Sequence, residues 1–350
     1  MHARYDQAAP HPLAKGWHTE RASPWLFIDG CTQVWEDADF GALHRHTPTA
    51  YLLTAFRPQA PFDDAVDACC DWWRVERTYP TVRIALTARD ILEAKEQGQA
   101  ALIIGSQGGD FVGQKLHRLE VLHKLGLRVM IPSYNERNSL CDGVLEPADA
   151  GLSKLGRKWV EEMNRLGIVI DLTHTGERAT FEIMDLTQQP LAFTHCNPRK
   201  LVETRRNITD EQMKRCAETG GVVGVTNWGP LNFRPDTPGR PQLEDFLNAV
   251  SYVANLIGPD HVSIGTDMSH GTYPDGDVVR SKLIGLTGDR YTTVVDSSPR
   301  SKLRHVEGFD DYSAVPDVAE AMMQRGFSRA EVEGILGGNL LRLFRQVWGE

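Results

Sequence analysis

The 350-residue sequence contains no apolar run long enough to span a bilayer, and its longest hydrophobic stretches are the length of strands. Its opening residues, MHARYDQAAPHPLAKGW, lack an apolar signal core. These absences lead to the expectation of a cytoplasmic protein without membrane attachment: an extension over residues 1–24, then one domain over 25–350. No Lys/Arg run exceeds two residues and the formal net charge is −9, so a surface that follows nucleic-acid phosphates is not expected. The six cysteines, including the neighbours Cys69 and Cys70, form neither a CxxC zinc pattern nor a disulfide framework, and reduced thiols are expected. No apolar run is followed by GxGxxG or GxxxxGK[ST], which removes the usual nucleotide sites.

What is present is an alternation. With 41% hydrophobic and 24% charged residues the chain is that of an ordinary globular protein. Short apolar runs recur as WLFIDGC (25–31), AYLLTAF (50–56), ALIIGSQ (101–107), RVMIPSY (128–134), IVIDLTH (168–174), LAFTH (191–195), GVVGVTNW (221–228) and HVSIGTD (261–267). Between them lie helical patterns, at 63–78, after Thr87 as an N-cap, and at 115–125, 153–166, 177–187, 209–219 and 242–257. Several end at a glycine, among them Gly98, Gly126, Gly167, Gly220 and Gly258. Strands alternating with helices call for a parallel sheet, and eight of them in this length favour a closed (β/α)8 TIM barrel over an open doubly wound sheet. Two long connections, 229–241 and Met268 to about Ser313, fall on the face where strands end and are expected to wall the substrate. Leu340, Leu341, Phe344 and Trp348 recur at helical spacing and suit an outer helix.

In a barrel the strand ends converge on one mouth. Here they bring Cys31 and Gln33, Gln107, Tyr134, His174, His195, Asn227 with Trp228, and Asp267. His174 and His195 end consecutive strands and can share a metal, and Asp267 can add an oxygen ligand or act as a general base. Each also has a plain structural reading: hydrogen-bonded histidines, a capped core tyrosine, a glutamine that holds a loop. His44 and His46 read as a solvated loop pair. Arg205 and Arg206 stand just before a helix start on the mouth side, where a guanidinium suits a carboxylate.

The runs GLSKLGRKWVEEMNRLGIVIDLTHTGE, THCNPRKLVETRRNITDEQMKRCAETGGVVGV and SIGTD, with the closing GGNLLRLFRQVW, resemble the membrane dipeptidase (renal dipeptidase-like) metallopeptidase family, within the amidohydrolase-type barrels. The similarity extends from about Trp25 to Trp348. It implies two zinc ions held by a His-x-Asp after strand 1, a bridging Glu after strand 3 and histidines after strands 5 and 6, with an Asp after strand 8 in proton transfer and metal binding. His174, His195 and Asp267 match that set. The resemblance assigns the substrate carboxylate to Arg206 and Asn207, and puts Tyr134 where the family has a substrate-contacting His.

The metal positions depart from the family: its Asp-Gly-His-x-Asp is Asp29-Gly30-Cys31-Thr32-Gln33 here, and its bridging Glu is Gln107. A dinuclear zinc site needs anionic ligands against four positive charges, and a neutral amide is a weak bridge. At most one zinc is therefore expected. Three readings stay open. One is a hydrolase of a dipeptide or small amide bearing a carboxylate, with Asp267 and Tyr134 in the chemistry and Arg206, Asn207 and Trp228 on the substrate. Another is a metal-free enzyme of a different reaction class on a small carboxylated metabolite. The last is a catalytically silent binding protein. A homodimer is the default assembly.

Overall fold

The computed structural model describes residues 24–35, 37–46, 48–234, 236, 239–272 and 304–350. Nearly all of the expected N-terminal extension, and residues 273–303 of the second long connection, lie outside them.

Ten strands are present among the described residues: β1 (Ile28–Val34), β2 (Ala50–Thr54), β3 (Val82–Ile84), β4 (Ala100–Ser106), β5 (Leu127–Met130), β6 (Val169–Ile170), β7 (Ala192–Cys196), β8 (Val222–Val225), β9 (Val262–Ile264) and β10 (Met268–His270). Parallel pairing runs β1-β2-β4-β5-β6 in one sheet and β7-β8-β9 in another. Two seams close the ring. Asp171 bridges Ala192, and Leu172 N–H donates to the Ala192 carbonyl at 2.7 Å, joining β6 to β7. Asp267 N–H donates to the Cys31 carbonyl at 2.9 Å, and β10, which continues β9, pairs with β1 in the register Thr32 to Met268. The result is the (β/α)8 barrel that the alternation implied.

The helices form for local reasons that the sequence carries. Helix Lys154–Leu166 begins at Ser153, whose hydroxyl accepts from Gly156 N–H at 2.9 Å, and stops at Gly167 with φ 68°. Its buried residues Gly156, Trp159, Val160 and Met163 follow the i, i+3, i+4, i+7 rhythm of a helix with one face on the barrel. Burying a large apolar side chain of this kind stabilises by about 1.5–3 kcal/mol, so a polar residue at Val160 would weaken the seat of this helix by an amount of that order. Thr87 does cap helix Ala88–Glu96, in a reciprocal box with Asp90.

Three details differ from the sequence reading. β3 was not expected, because three residues are too few to show alternation; it fills the side of β4 that β5 has not yet reached. β5 and β6 are shorter than their apolar runs, since the last residues of 128–134 and 168–174 leave the sheet to build the mouth. The closing segment is not one regular helix: Arg329–Glu333 and Asn339–Trp348 are joined by a π turn over Gly334–Gly338. Gly337 lies against the Leu26 carbonyl, where a Cβ would stand at 2.4 Å, so a closely seated backbone accompanies the wider turn. Among the described residues no helix is long and apolar enough to cross a membrane.

Candidate active site

Strand ends bring the mouth residues together, and local backbone geometry aims them. Among the described residues four non-glycine positions have positive φ, and three of them are Asn135 (64°), His174 (67°) and Asp267 (55°). Left-handed conformations at non-glycine residues are unfavourable and persist where the surroundings impose them. The barrel end is also narrow: a Cβ on Gly224 or Gly265 would stand 1.9 or 2.1 Å from the Thr194 carbonyl, so β7, β8 and β9 approach only because those positions are glycine.

His174 and His195 meet at this end, with Nε2 to Nε2 at 3.1 Å. Their other nitrogens assign the tautomers. Thr194 Oγ1 donates to Asp171 Oδ2 at 2.5 Å, so toward His195 it accepts, and Nδ1 carries the proton in that 2.8 Å contact. His174 Nδ1 lies 2.8 Å from the side-chain oxygen of Asn135 and donates to it. Nε2 is therefore the acceptor nitrogen on both rings, and the two acceptors are neighbours. Two zinc–imidazole bonds at a tetrahedral angle span roughly 3.3 Å between nitrogens, so this pair fits one cation. Burial, reinforced by the Arg206 charge, pushes the His195 imidazole well below the ordinary histidine range and keeps it neutral.

Arg206 lies over the pair. It is 3% exposed, and Nη2 donates to His174 Nε2 and to the His195 carbonyl, each at 3.1 Å, while Nε has no partner. Tyr134 packs on His174 with ring centroids 4.1 Å apart. The neighbouring Arg205 points outward and bonds the Leu145 carbonyl. Asn207 is fully buried beneath the loop: Nδ2 donates to the Val202 and Leu231 carbonyls, and Oδ1 accepts from Asn197 N–H. Its amide is thus engaged in supporting the backbone that carries Arg206, and no atom of it is left for a ligand carboxylate.

The opposite side of the mouth holds a closed set of neutral groups around one carboxylate. Gln33 Nε2 donates to Asp267 Oδ1 at 2.7 Å, the Cys31 thiol donates to the same oxygen at 3.5 Å, and Gln107 Nε2 donates to the Cys31 sulfur at 3.0 Å. Burial raises the Asp267 carboxyl above its usual range, opposed by the Gln33 hydrogen bond, by Arg304 and Arg206, and by Cys31. The Cys31 thiol is pushed well up by burial and by the carboxylates of Asp267, Asp29 and Asp171, so it is a protonated donor rather than a thiolate ligand. Among the described residues no three His, Cys, Asp or Glu side chains come together as a metal cage, so the expected set of His174, His195 and Asp267 is reduced to its two imidazoles. Cys31, Gln107, Asp171, Thr194 and His195 help line a cavity of about 10 Å3, room for one water.

Supporting residues were missed in the sequence. Asp29 receives Thr32, Thr266 and Tyr312 hydroxyls and the Cys31 and Thr266 amides, clasping β1 to the end of β9. Asp171 takes Thr173 and Thr194 in the same way. A carboxylate inside an apolar run, as in IVIDLTH, was the signal that could have found it. Asn135 had only its place beside Tyr134, and Arg304 and His305 had no signal. Trp228 borders the mouth with its indole Nε1 unpartnered. His44 lies in a 3-10 helix over Phe40–Arg45, and the His46 ring is 5.0 Å from that of His270.

Comparison with known proteins identifies the family and the fold. The family profile described as membrane dipeptidase, peptidase family M19, matches residues 42–288 and 293–348. Dipeptidase tcpJ of Claviceps purpurea is 30% identical over 268 residues, covering 76% of this chain and 55% of that protein. Dipeptidase 3 of Mus musculus is 29% identical over 280 residues, covering 78% and 49%. The chain thus spans about half the length of these curated relatives. A crystal structure of an amidohydrolase from Pseudomonas aeruginosa superposes with a TM-score of 0.79 at 29% identity, over 93% of this chain and 97% of that one. A metallopeptidase from Rhodobacter sphaeroides, liganded with a phosphinate mimic of the dipeptide L-Ala-D-Ala, shares the fold with a TM-score of 0.72 at 19% identity, over 93% and 99%.

Proposed function

Because the chain belongs to the membrane dipeptidase family, peptidase family M19, we propose that it hydrolyses a dipeptide or small amide bearing a carboxylate, with at most one zinc ion in its site. One observation carries this reading: the Nε2 atoms of His174 and His195 lie 3.1 Å apart, while Cys31, Gln33 and Gln107, at the positions of other family ligands, are hydrogen-bonded to one another and to Asp267. His174 and His195 would hold the ion. Bound there, zinc supplies Lewis acidity.

The chain's own groups do the rest. Arg206 offers a buried guanidinium to the substrate carboxylate, and in doing so exchanges its contact with His174 for a charged partner. Asp267, raised by burial, is suited to take a proton from attacking water and return it to the leaving amine. Gln33 orients that carboxylate through its 2.7 Å bond. Tyr134 covers the face of His174 and narrows the entrance. A metal-free course is the second reading, favoured by the Arg206 guanidinium lying 3.1 Å from the His174 lone pair, where a fixed cation opposes a divalent one.

The test is metal analysis of protein purified without chelator, joined to product analysis on a dipeptide panel before and after chelation. Zinc near one per chain with chelator-sensitive cleavage is the expected result. Cleavage without metal would select the second reading, and absence of cleavage across the panel would remove both.

A further inference from the structure

A second opening lies behind the wall that carries Arg206. Its volume is about 260 Å3, and it sits between the connection after β7, the short helix Gly229–Asn232 and the first turns of helix Leu243–Ile257. None of His174, His195, Arg206, Tyr134 or Asp267 lines it, so it is separate from the mouth. Pockets for drug-sized compounds run from about 300 to 1,000 Å3, so this one suits a smaller molecule. Leu201, Val202, Leu231 and Ala249 give it an apolar wall. Asn197 and Asn232 also line it, yet their amides donate to one another and to the Thr226, Trp228 and Leu231 carbonyls.

Among the described residues, the charged side chains that line the cavity are one opposite pair. Arg234 Nη2 stands 3.6 Å from Asp245 Oδ1, an attraction too long to be a hydrogen bond. The other Asp245 oxygen accepts from Gln242 N–H at 2.9 Å and holds the helix start, which fixes the carboxylate in place. A monoanion entering here meets the Asp245 charge, and a monocation meets the Arg234 charge. A zwitterion satisfies both, its carboxylate on the guanidinium and its ammonium on the carboxylate. An aliphatic side chain on the same molecule finds the apolar wall. We propose that Arg234 and Asp245 hold the carboxylate and the ammonium of a free aliphatic α-amino acid in this cavity. The cavity also shares its wall with the site: Val202 and Leu231 are the residues whose carbonyls hold Asn207, next to Arg206, at 2.9 and 3.2 Å. A bound amino acid therefore braces the loop that aims Arg206. Dipeptide hydrolysis releases free amino acids, so on that reading, on which this last step alone rests, the cavity senses product.

Calorimetry on the whole chain tests it with L-leucine, with leucinamide, which lacks the carboxylate, and with isocaproate, which lacks the ammonium. L-Leucine should bind about tenfold or more tightly than either analogue, the effect expected when a charge-assisted hydrogen bond is lost. Arg234→Gln and Asp245→Asn should each weaken leucine by about the same factor, whereas Arg206→Ala should leave this binding in place. In hydrogen exchange, leucine should slow the amides of residues 198–208 in the parent and not in Arg234→Gln. Absence of leucine binding, equal binding of the analogues, or binding lost in Arg206→Ala and kept in Arg234→Gln would overturn the inference. Binding without slowed exchange would overturn the link to Arg206. These readouts need no turnover, so their failure is distinct from failure of the dipeptide reading, which product analysis tests. Unfolding curves for the variants separate loss of recognition from loss of fold.

Discussion

Nε2 of His174 lies 3.1 Å from Nε2 of His195, and each ring arrives there with its other nitrogen committed, to Asn135 and to Thr194. Two lone pairs at that separation repel unless a cation, a proton or a donor lies between or beside them. Arg206 partly fills that role, donating to His174 Nε2 at 3.1 Å.

The first expectation concerns this pair. Protein purified without chelator should hold no more than one divalent metal per chain, and His174→Ala or His195→Ala should each abolish it. Two zinc ions per chain, or retention in both variants, would place the ligands elsewhere.

A second expectation concerns the support beneath His195. Thr194→Val keeps the shape and removes the hydroxyl between Asp171 and Nδ1. With the tautomer no longer fixed, metal affinity should fall about 10- to 100-fold, the usual effect of losing an outer partner of a ligating histidine. Competition with a chelating dye measures it, and unchanged affinity would mean that the relay does not orient the ring.

Arg206→Ala should weaken a carboxylate-bearing ligand by about one to two orders of magnitude, as expected for a lost hydrogen bond to a charged group. The comparison that decides is a ligand pair differing only in carboxylate against carboxamide. If the variant weakens both members equally, Arg206 acts on the loop rather than on the ligand.

Cys31, Gln33, Gln107 and Asp267 form one hydrogen-bonded group, so the combined change Cys31→His, Gln33→Asp and Gln107→Glu delivers an imidazole and two carboxylates to one place. The folded triple variant should bind more zinc than the parent. Equal stoichiometry would show that the surroundings no longer support a second ion.

Acid should destabilise the fold in part through His270, whose imidazole is stacked on Tyr312 and lowered from 6.5 to about 3, chiefly by burial. Its folded value lies below the unfolded one, so its contribution is complete above pH 6.5 and is lost as pH falls toward 3. The buried carboxyls of Asp29 and Asp171, raised by burial, act in the opposite sense, so the difference between variants is the measure. His270→Phe should flatten the fall in unfolding free energy by up to about 1.4 kcal/mol per pH unit in that window. Parallel curves for parent and variant would exclude this role.

The chain's local order determined its architecture. Eight apolar runs, most of them separated by a helical pattern, leave little choice but a parallel barrel, because such signals act within a few residues and survive in one dimension. The same order put His174, His195, Cys31, Gln33, Gln107 and Asp267 at strand ends. Tertiary structure decided what those ends do to each other. No spacing in sequence shows that Gln33 is bonded to Asp267 across 234 residues, that Arg206 turns inward while Arg205 turns out, or that Asn207 is engaged under its own loop. It also does not show that Thr194 hands His195 its tautomer from a carboxylate on the neighbouring strand. These are facts of direction and of which lone pair is left over, and they exist only once the strands have closed and each buried polar atom has found, or failed to find, a partner.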